Sequence, residues 1–181
     1  MESLEAILEA LLFASGCPLS LDKIQEVLEG VSRHEVRKII QGLQCRYTGG
    51  GIQILEVAGG YMMATRAELH PWVQKLQRSR PAKLSRAALE TLALVAFRQP
   101  ITRAEIEEVR GVSVDGVLRT LFERNLIRIV GRKAVVGRPI LYGTTKEFLR
   151  YFGFRDLSEL PTLKEIEALT AGPGQEGEGR P

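Results

Sequence analysis

The sequence predicts an α+β protein built from two tandem winged-helix domains with short β-hairpin wings, on three observations. First, residues 110–145, RGVSVDGVLRTLFERNLIRIVGRKAVVGRPILYGTT, read as helix, strand, basic glycine-bounded loop and returning strand. Second, apolar stripes at helical spacing stand upstream of that stretch. Third, the same pattern occupies the N-terminal third of the chain.

Taken in order, Leu4, Ile7, Leu8, Leu11 and Leu12 share one helical face. Gly16 and Pro18 end that helix. Ser20 caps a second, with Leu21, Ile24, Val27 and Leu28 inward. Gly30 stops it. Ser32 and Glu35 have capping-box spacing for a third helix, which buries Val36, Ile39, Ile40 and Leu43. A glycine loop, Thr48 to Gly51, leads to a strand carrying Ile52 and Ile54. A hairpin turn is expected at Gly59-Gly60, with a return strand from Tyr61 to Thr65. Leu69, Trp72, Val73 and Leu76 suggest a short connecting helix. The run from Arg66 to Arg86 is rich in Arg and Lys, with Glu68 alone against it. It reads either as a solvated linker or as an electrostatic contact to a partner.

Leu89, Leu92, Ala93, Ala96 and Phe97 then repeat the first stripe. Aligning Pro18 with Pro100 lays Leu19 on Ile101, Ser20 on Thr102, Ile24 on Ile106 and Val27 on Val109. Dropping one residue after the second helix lays Gly30-Val31-Ser32 on Gly111-Val112-Ser113 and Val36 on Val117. Matches at capping, turn and core positions together indicate two copies of one unit. The second copy is better capped, because Thr102 and Glu105 make the box that Ser20 and Lys23 do not. A last helix carries Phe148, Leu149, Tyr151 and Phe152, with Pro161 in its end region. A short amphipathic stretch, Leu163 to Leu169, is expected before a tail of Gly, Pro and Glu that cannot bury apolar surface. The expected division is 1–66, a first winged helix; 67–84, a basic linker with a short helix; 85–163, a second winged helix; and 164–181, a largely disordered tail.

The 181 residues are 44% apolar with a net charge of +3, enough for two small domains and only mildly basic. Two isolated cysteines, Cys17 and Cys45, fit reduced thiols in a cytosol. No apolar run approaches a membrane span, and the N-terminus MESLEAILEALLF lacks the basic start of a signal peptide. No GxxxxGK loop, HExxH, GxSxG or paired CxxC occurs. His34 and His70 have no Cys, Asp or Glu at ligand spacing, so no metal and no cofactor are expected. Glu105, Glu107 and Glu108 cluster on one helix but span its inner and outer faces, which suits a solvated face better than acid–base chemistry. The chain is therefore not expected to be an enzyme.

Winged helices usually present their third helix to the major groove. In the first unit that helix turns Arg33, His34, Arg37, Lys38 and Gln41 outward, and Arg33, Arg37 and Lys38 could meet phosphates. In the second it shows Asp115, Gly116, Arg119 and Glu123. Two carboxylates facing phosphate have the wrong sign, and glycine has no group with which to read a base. Arg132, Lys133 and Arg138 make the second wing basic.

Several motifs carry a family resemblance. They are Glu9-Ala10-Leu11-Leu12-Phe13-Ala14-Ser15-Gly16 with Pro18-Leu19; Gly60-Tyr61; Pro81; Leu84-Ser85; and Pro100-Ile101-Thr102-Arg103-Ala104-Glu105-Ile106. The most specific are Arg110-Gly111-Val112, Asp115-Gly116-Val117, Gly137-Arg138-Pro139 and Tyr142-Gly143-Thr144-Thr145. In this order and spacing the chain resembles the bacterial segregation and condensation protein B family, non-SMC subunits of the chromosome-condensing SMC complex. The resemblance runs from Leu4 to about Pro161. It implies a homodimer formed mainly through the N-terminal domains. It implies that the C-terminal domain grips the kleisin subunit, segregation and condensation protein A, and through it meets the SMC ATPase. It further implies a cytoplasmic, nucleoid-associated protein of chromosome partition, with DNA contact at most weak and sequence-blind. Where the family often has proline before Gly-Arg-Pro, this chain has Val136. On that basis Arg110, Asp115, Gly116, Arg119, Arg138 and Pro139 are expected to bind the kleisin. Leu8, Leu12, Phe13 and Tyr61 are expected at the dimer interface, their share of the domain core left open. The competing expectation is a sequence-specific DNA-binding regulator using Arg33, Arg37 and Lys38.

Overall fold

The computed structural model describes residues 3–76 and 83–161, a mixture of helices and antiparallel strands. Residues 77–82 of the basic stretch, the Leu163–Leu169 stretch and the tail expected to be disordered fall outside the described residues.

The first half runs α1 (Leu4–Ala14), α2 (Leu21–Val27), α3 (Arg33–Arg46), β1 (Ile52–Val57) and β2 (Gly60–Thr65). Serines start all three helices. The Ser3, Ser20 and Ser32 hydroxyls accept from the N–H three residues on, each at 3.2 Å. Each cap satisfies a donor that the helix cannot pair internally. Leu8, Leu12, Ile24, Val36, Ile40 and Leu43, with Ile54 from β1, close one core. Burying one such side chain contributes about 1.5–3 kcal/mol over leaving it exposed. Val27, expected inward, is 49% exposed at the last residue of α2, whereas Leu28, also expected inward, is buried.

The hairpin turn is one residue earlier than expected. Val57 pairs with Gly60, and Ala58 and Gly59 form the two-residue turn with φ of 52° and 74°. Both central residues are left-handed, as a tight hairpin between right-twisted strands requires. Gly60 has a different task. Beside it Tyr61 and Leu19 form an isolated antiparallel bridge, and a Cβ on Gly60 would lie 2.7 Å from the Leu19 carbonyl carbon and oxygen.

A 3-10 turn (Ala67–Leu69) and α4 (His70–Leu76) follow β2. Arg66, counted with the basic run, belongs to the first half. Its guanidinium donates to the carbonyls of Gly50 at 2.7 Å and Tyr47 at 3.1 Å, tying β2 to the end of α3.

The second half runs α5 (Arg86–Arg98), β3 (Ile101–Thr102), α6 (Arg103–Arg110), α7 (Asp115–Glu123), β4 (Ile127–Arg132), β5 (Ile140–Thr144) and α8 (Lys146–Phe152). Its strands are ordered β3-β5-β4, with a register shift between Ile129 and Gly131. Ala88, Leu92, Val95, Ile106, Leu118 and Leu121, with Ile127 and Phe148, form a second core. The expected stripe on α5 is displaced. Leu92 and Ala96 are buried, but Leu89 is 43% and Phe97 37% exposed, while Ala88, Thr91 and Val95 face inward. The box at Thr102–Glu105 forms in full, and Gly111, at φ 68°, closes α6 in the left-handed region. Gly153, at φ 77°, closes α8 in the same way, well before the expected Pro161.

The halves touch through main chain. The Ala58 and Gly59 N–H groups donate to the carbonyls of Phe154 and Arg155, each at 2.9 Å. The β1–β2 turn thus seats on the segment after α8.

Candidate partner-binding surface

The surface around α6 and α7 is organised by paired charges. Arg103, at the start of α6, bonds Glu107 at 3.0 Å and also pairs with Asp115 at the start of α7. Glu107 in turn accepts from the Val114 N–H at 3.1 Å, supplying the cap that α7 otherwise lacks. That N–H bond, with Arg103, holds the Glu107 carboxyl below its ordinary range, as an acceptor of charge-assisted bonds should be. One turn on, Arg119 pairs with Glu123 at 3.0 Å. Gly116 lies between these pairs, and a Cβ built on it meets nothing within 4 Å.

The strand-connecting loop is anchored from the same helix. Lys133 Nζ bonds Glu105 at 2.6 Å. Thr102 adds its N–H and hydroxyl to the same carboxylate, at 2.8 and 2.7 Å. Lys133 and then Thr102 hold the Glu105 carboxyl down at about 2. The box that starts α6 therefore also ties down the base of the loop. Beyond it Val136 is wholly exposed and Val135 50% exposed. Arg138, at φ 41°, lies in the left-handed region. Its carbonyl accepts from Arg132 at 3.1 Å, and the Pro139 carbonyl accepts from the Lys133 N–H at 2.9 Å.

The six expected kleisin contacts thus separate into three groups. Asp115, Gly116 and Arg119 share the exposed face of α7, and Arg138 and Pro139 belong to the loop. Arg110 does neither. Its side chain is only 19% exposed and pairs with Glu90 of α5, which Arg86 also reaches at 2.9 Å. Arg110 and Arg86 together lower the Glu90 carboxyl. Arg110 is therefore a brace between α5 and α6. Of the expected dimer residues, Leu8 is 0% and Leu12 2% exposed, so both are spent on the core of their own chain. Tyr61 is half-buried against Leu19, whereas Phe13 is 76% exposed. On α3, Arg33 is engaged by Asp22 and by Gln25 at 3.2 Å; Arg37 and Lys38 are exposed.

Sequence reasoning missed an apolar groove between α5 and α8. Leu89, Ala93 and Phe97 form one wall, and Phe152, Phe154 and Leu160 the other, around about 320 Å³. Its signal was present as the surplus width of the α5 stripe. Among the described residues no cluster of three metal-ligating side chains occurs, and no helix is long and apolar enough to cross a membrane.

The exposed face of α6 and α7 thus carries charges fixed in mutual pairs with a bare glycine between them, beside a loop that exposes Val135 and Val136. The chain belongs to the family described as segregation and condensation complex subunit ScpB, whose family model matches residues 6–163. The segregation and condensation protein B of Geobacillus kaustophilus is 55% identical over 167 residues, covering 90% of this chain and 76% of its own length. That of Symbiobacterium thermophilum is 53% identical over 170 residues, covering 93% and 76%. Among solved structures, a dimer of a ScpB N-terminal domain complexed with a ScpA peptide is 46% identical. It covers 40% of this chain and 93% of its own, at a TM-score of 0.37.

Proposed function

We propose that this protein is a non-catalytic subunit of the bacterial SMC condensin complex that dimerises and binds the kleisin, supporting chromosome condensation and segregation at the nucleoid. In this reading each half is a winged-helix domain, 1–66 and 85–163. The first dimerises, and the second grips the kleisin and through it meets the SMC ATPase. The family's description as a complex subunit supports the class of function. A ScpA-type partner is a proposal for this chain.

The observation that carries it is the state of α7. The helix that a DNA-binding winged helix would lay in the major groove has Asp115 engaged by Arg103 and Arg119 by Glu123. Charges spent on one another offer no net attraction to phosphate, which dominates DNA affinity. The same face, with Gly116 bare, admits the close approach of another polypeptide. Arg138 and Pro139 in the neighbouring loop complete this surface, and Phe13 is the residue of the first domain best placed for self-association.

Size-exclusion chromatography with light scattering, on the protein alone and with the kleisin subunit, tests this. A dimer that moves to a larger defined complex is expected, with Asp115→Arg or Arg119→Glu weakening the complex while circular dichroism stays unchanged. A monomer that ignores kleisin sinks the proposal. Exposed Arg37 and Lys38 support a second, weaker contact with DNA. Its expected signature is low affinity, indifferent to sequence and falling with salt. Tight sequence-specific binding would favour a transcriptional regulator instead.

A further inference from the structure

The β4–β5 hairpin carries charge of one sign. Between Ile127 and Thr144 stand Arg128, Arg132, Lys133 and Arg138, with no Asp or Glu among them. Glu105 reaches in to Lys133. Arg128, Arg132 and Arg138 are exposed and form no ion pair among the described residues. The hairpin also has a free flank. In the order β3-β5-β4 no described strand pairs with the outer edge of β4, so the main-chain donors and acceptors of that edge have no strand partner.

The face beside this edge is hollowed. Tyr142 turns to Phe122 of α7, with ring centroids 5.7 Å apart, so Leu141 and Gly143 on either side of it turn to the other face. There Val130 leans over Gly143. A Cβ on that glycine would lie 2.9 Å from a Val130 methyl carbon and 3.0 Å from Gln99 Oε1. Gln99, Pro100, Val130, Leu141 and Gly143 line a hollow of about 310 Å³. Arg128 stands directly opposite Gly143 across the strand pair, and so rises from the same face. Its Nε donates to the Thr144 carbonyl at 3.2 Å, and its other N–H groups have no partner among the described residues.

These features select an occupant. Phosphodiester backbone meets cations but brings no apolar side chain for the hollow. A second copy of the hairpin brings the same four cations and is repelled. An extended acidic polypeptide suits all three features. Its main chain can run along the edge, an apolar side chain can fill the hollow, and carboxylates can meet the guanidiniums. We propose that the free edge and outer face of β4 dock an extended acidic segment of another protein. One aliphatic or aromatic side chain sits between Val130, Leu141 and Pro100, and a carboxylate sits on Arg128. This face is turned away from α7, so the proposal stands whether or not the α7 surface binds a kleisin.

Selection of displayed random peptides on the full chain tests it, followed by fluorescence polarisation of the enriched sequences. Acidic peptides carrying a Leu, Ile or Phe are expected, with affinity that falls as salt rises. Arg128→Glu and Val130→Asp, both at exposed positions, should each weaken them at least about tenfold while circular dichroism holds, since each sets a carboxylate against the peptide's own. Asp115→Arg, on the α7 face, should leave them bound. Enrichment of neutral or basic sequences overturns the proposal. So does affinity that is indifferent to both hairpin variants or lost with Asp115→Arg. Failure of any peptide to be enriched overturns it too, and a short duplex DNA whose binding is lost with Arg128→Glu then assigns the cations to phosphate.

Discussion

Leu19 and Tyr61 exchange both main-chain hydrogen bonds, N–H to carbonyl in each direction at 2.9 Å. In the second half Ile101 pairs with Tyr142 in the same antiparallel sense. The displacement that lays Gly30 on Gly111 also lays Tyr61 on Tyr142, so each half stitches the start of its second helix to its returning strand by a Tyr. Gly60 is small because Leu19 passes over it. Gly60→Ala should destabilise the protein by about 1–3 kcal/mol, the usual cost of forcing an atom into a filled site. Gly131→Ala, in a strand with nothing within 4 Å of the added carbon, is the control and should change stability by less than about 0.5 kcal/mol. Denaturant unfolding of the two variants decides; equal effects would mean Leu19 is free to move away.

Leu8 and Phe13 separate core from interface. Leu8→Ala should cost about 2–5 kcal/mol of unfolding free energy, because the side chain is wholly enclosed. Phe13→Ala should leave the unfolding of the dilute monomer nearly unchanged and raise the dimer dissociation constant. Sedimentation equilibrium measures the second quantity. A dimer indifferent to Phe13→Ala would place the interface on another face.

Arg110 and Arg119 should also part company. Arg110→Ala removes the brace to Glu90 and leaves the remaining groups half-enclosed, so the thermal midpoint is expected to fall by several degrees. Arg119→Glu acts on an exposed pair, 82% and 63% accessible, whose contribution to stability is small. Its midpoint should stay put while kleisin affinity falls. Differential scanning calorimetry beside titration calorimetry checks both.

Glu105 gives the fold an acid limit. Its carboxyl is held at about 2 against an ordinary 4.5. A group depressed on folding contributes stability in full above its unfolded value and loses it as pH falls towards the folded one. Stability should therefore drop from about pH 4.5 to about 2. Glu105→Gln should flatten that slope without abolishing it, because Glu90, Glu107, Asp156 and Glu159 are also lowered. Unfolding midpoints across this range, with and without the substitution, are the measurement. An unchanged slope would remove Glu105 from the cause.

Local chemistry explains what the residues revealed in advance. Ser20, Ser32 and Thr102 announce helix starts because a cap is a contact three residues long. The hairpin was found but misplaced by one residue, since both glycines of Ala58-Gly59-Gly60 look like turn formers. Only the passage of Leu19 over Gly60 tells them apart, and that contact joins residues too far apart in sequence for a local pattern to show. On α5 the run AALETLALVAF is apolar almost all round, so periodicity found an arc but not which edge of it meets the core. Leu8 and Leu12 lie on one apolar stripe with the rest of α1, and spacing alone does not separate core from interface on such a stripe. Arg110 is expected at the kleisin surface from its motif alone, and its pairing with Glu90 lies on another helix, out of reach of local spacing. The pairing of Arg103 with Asp115 across a helix boundary is equally invisible to a local pattern.

The seam between the halves is written in backbone atoms. Ala58 and Gly59 lend N–H groups and Phe154 and Arg155 lend carbonyls, so exchange of side chains at those positions leaves every donor and acceptor standing. Only proline at 58 or 59 deletes a donor. Such a joint depends on the left-handed backbone at 58 and 59 rather than on their side chains, and a pull on one half is passed to the other across two hydrogen bonds as well as along the covalent chain.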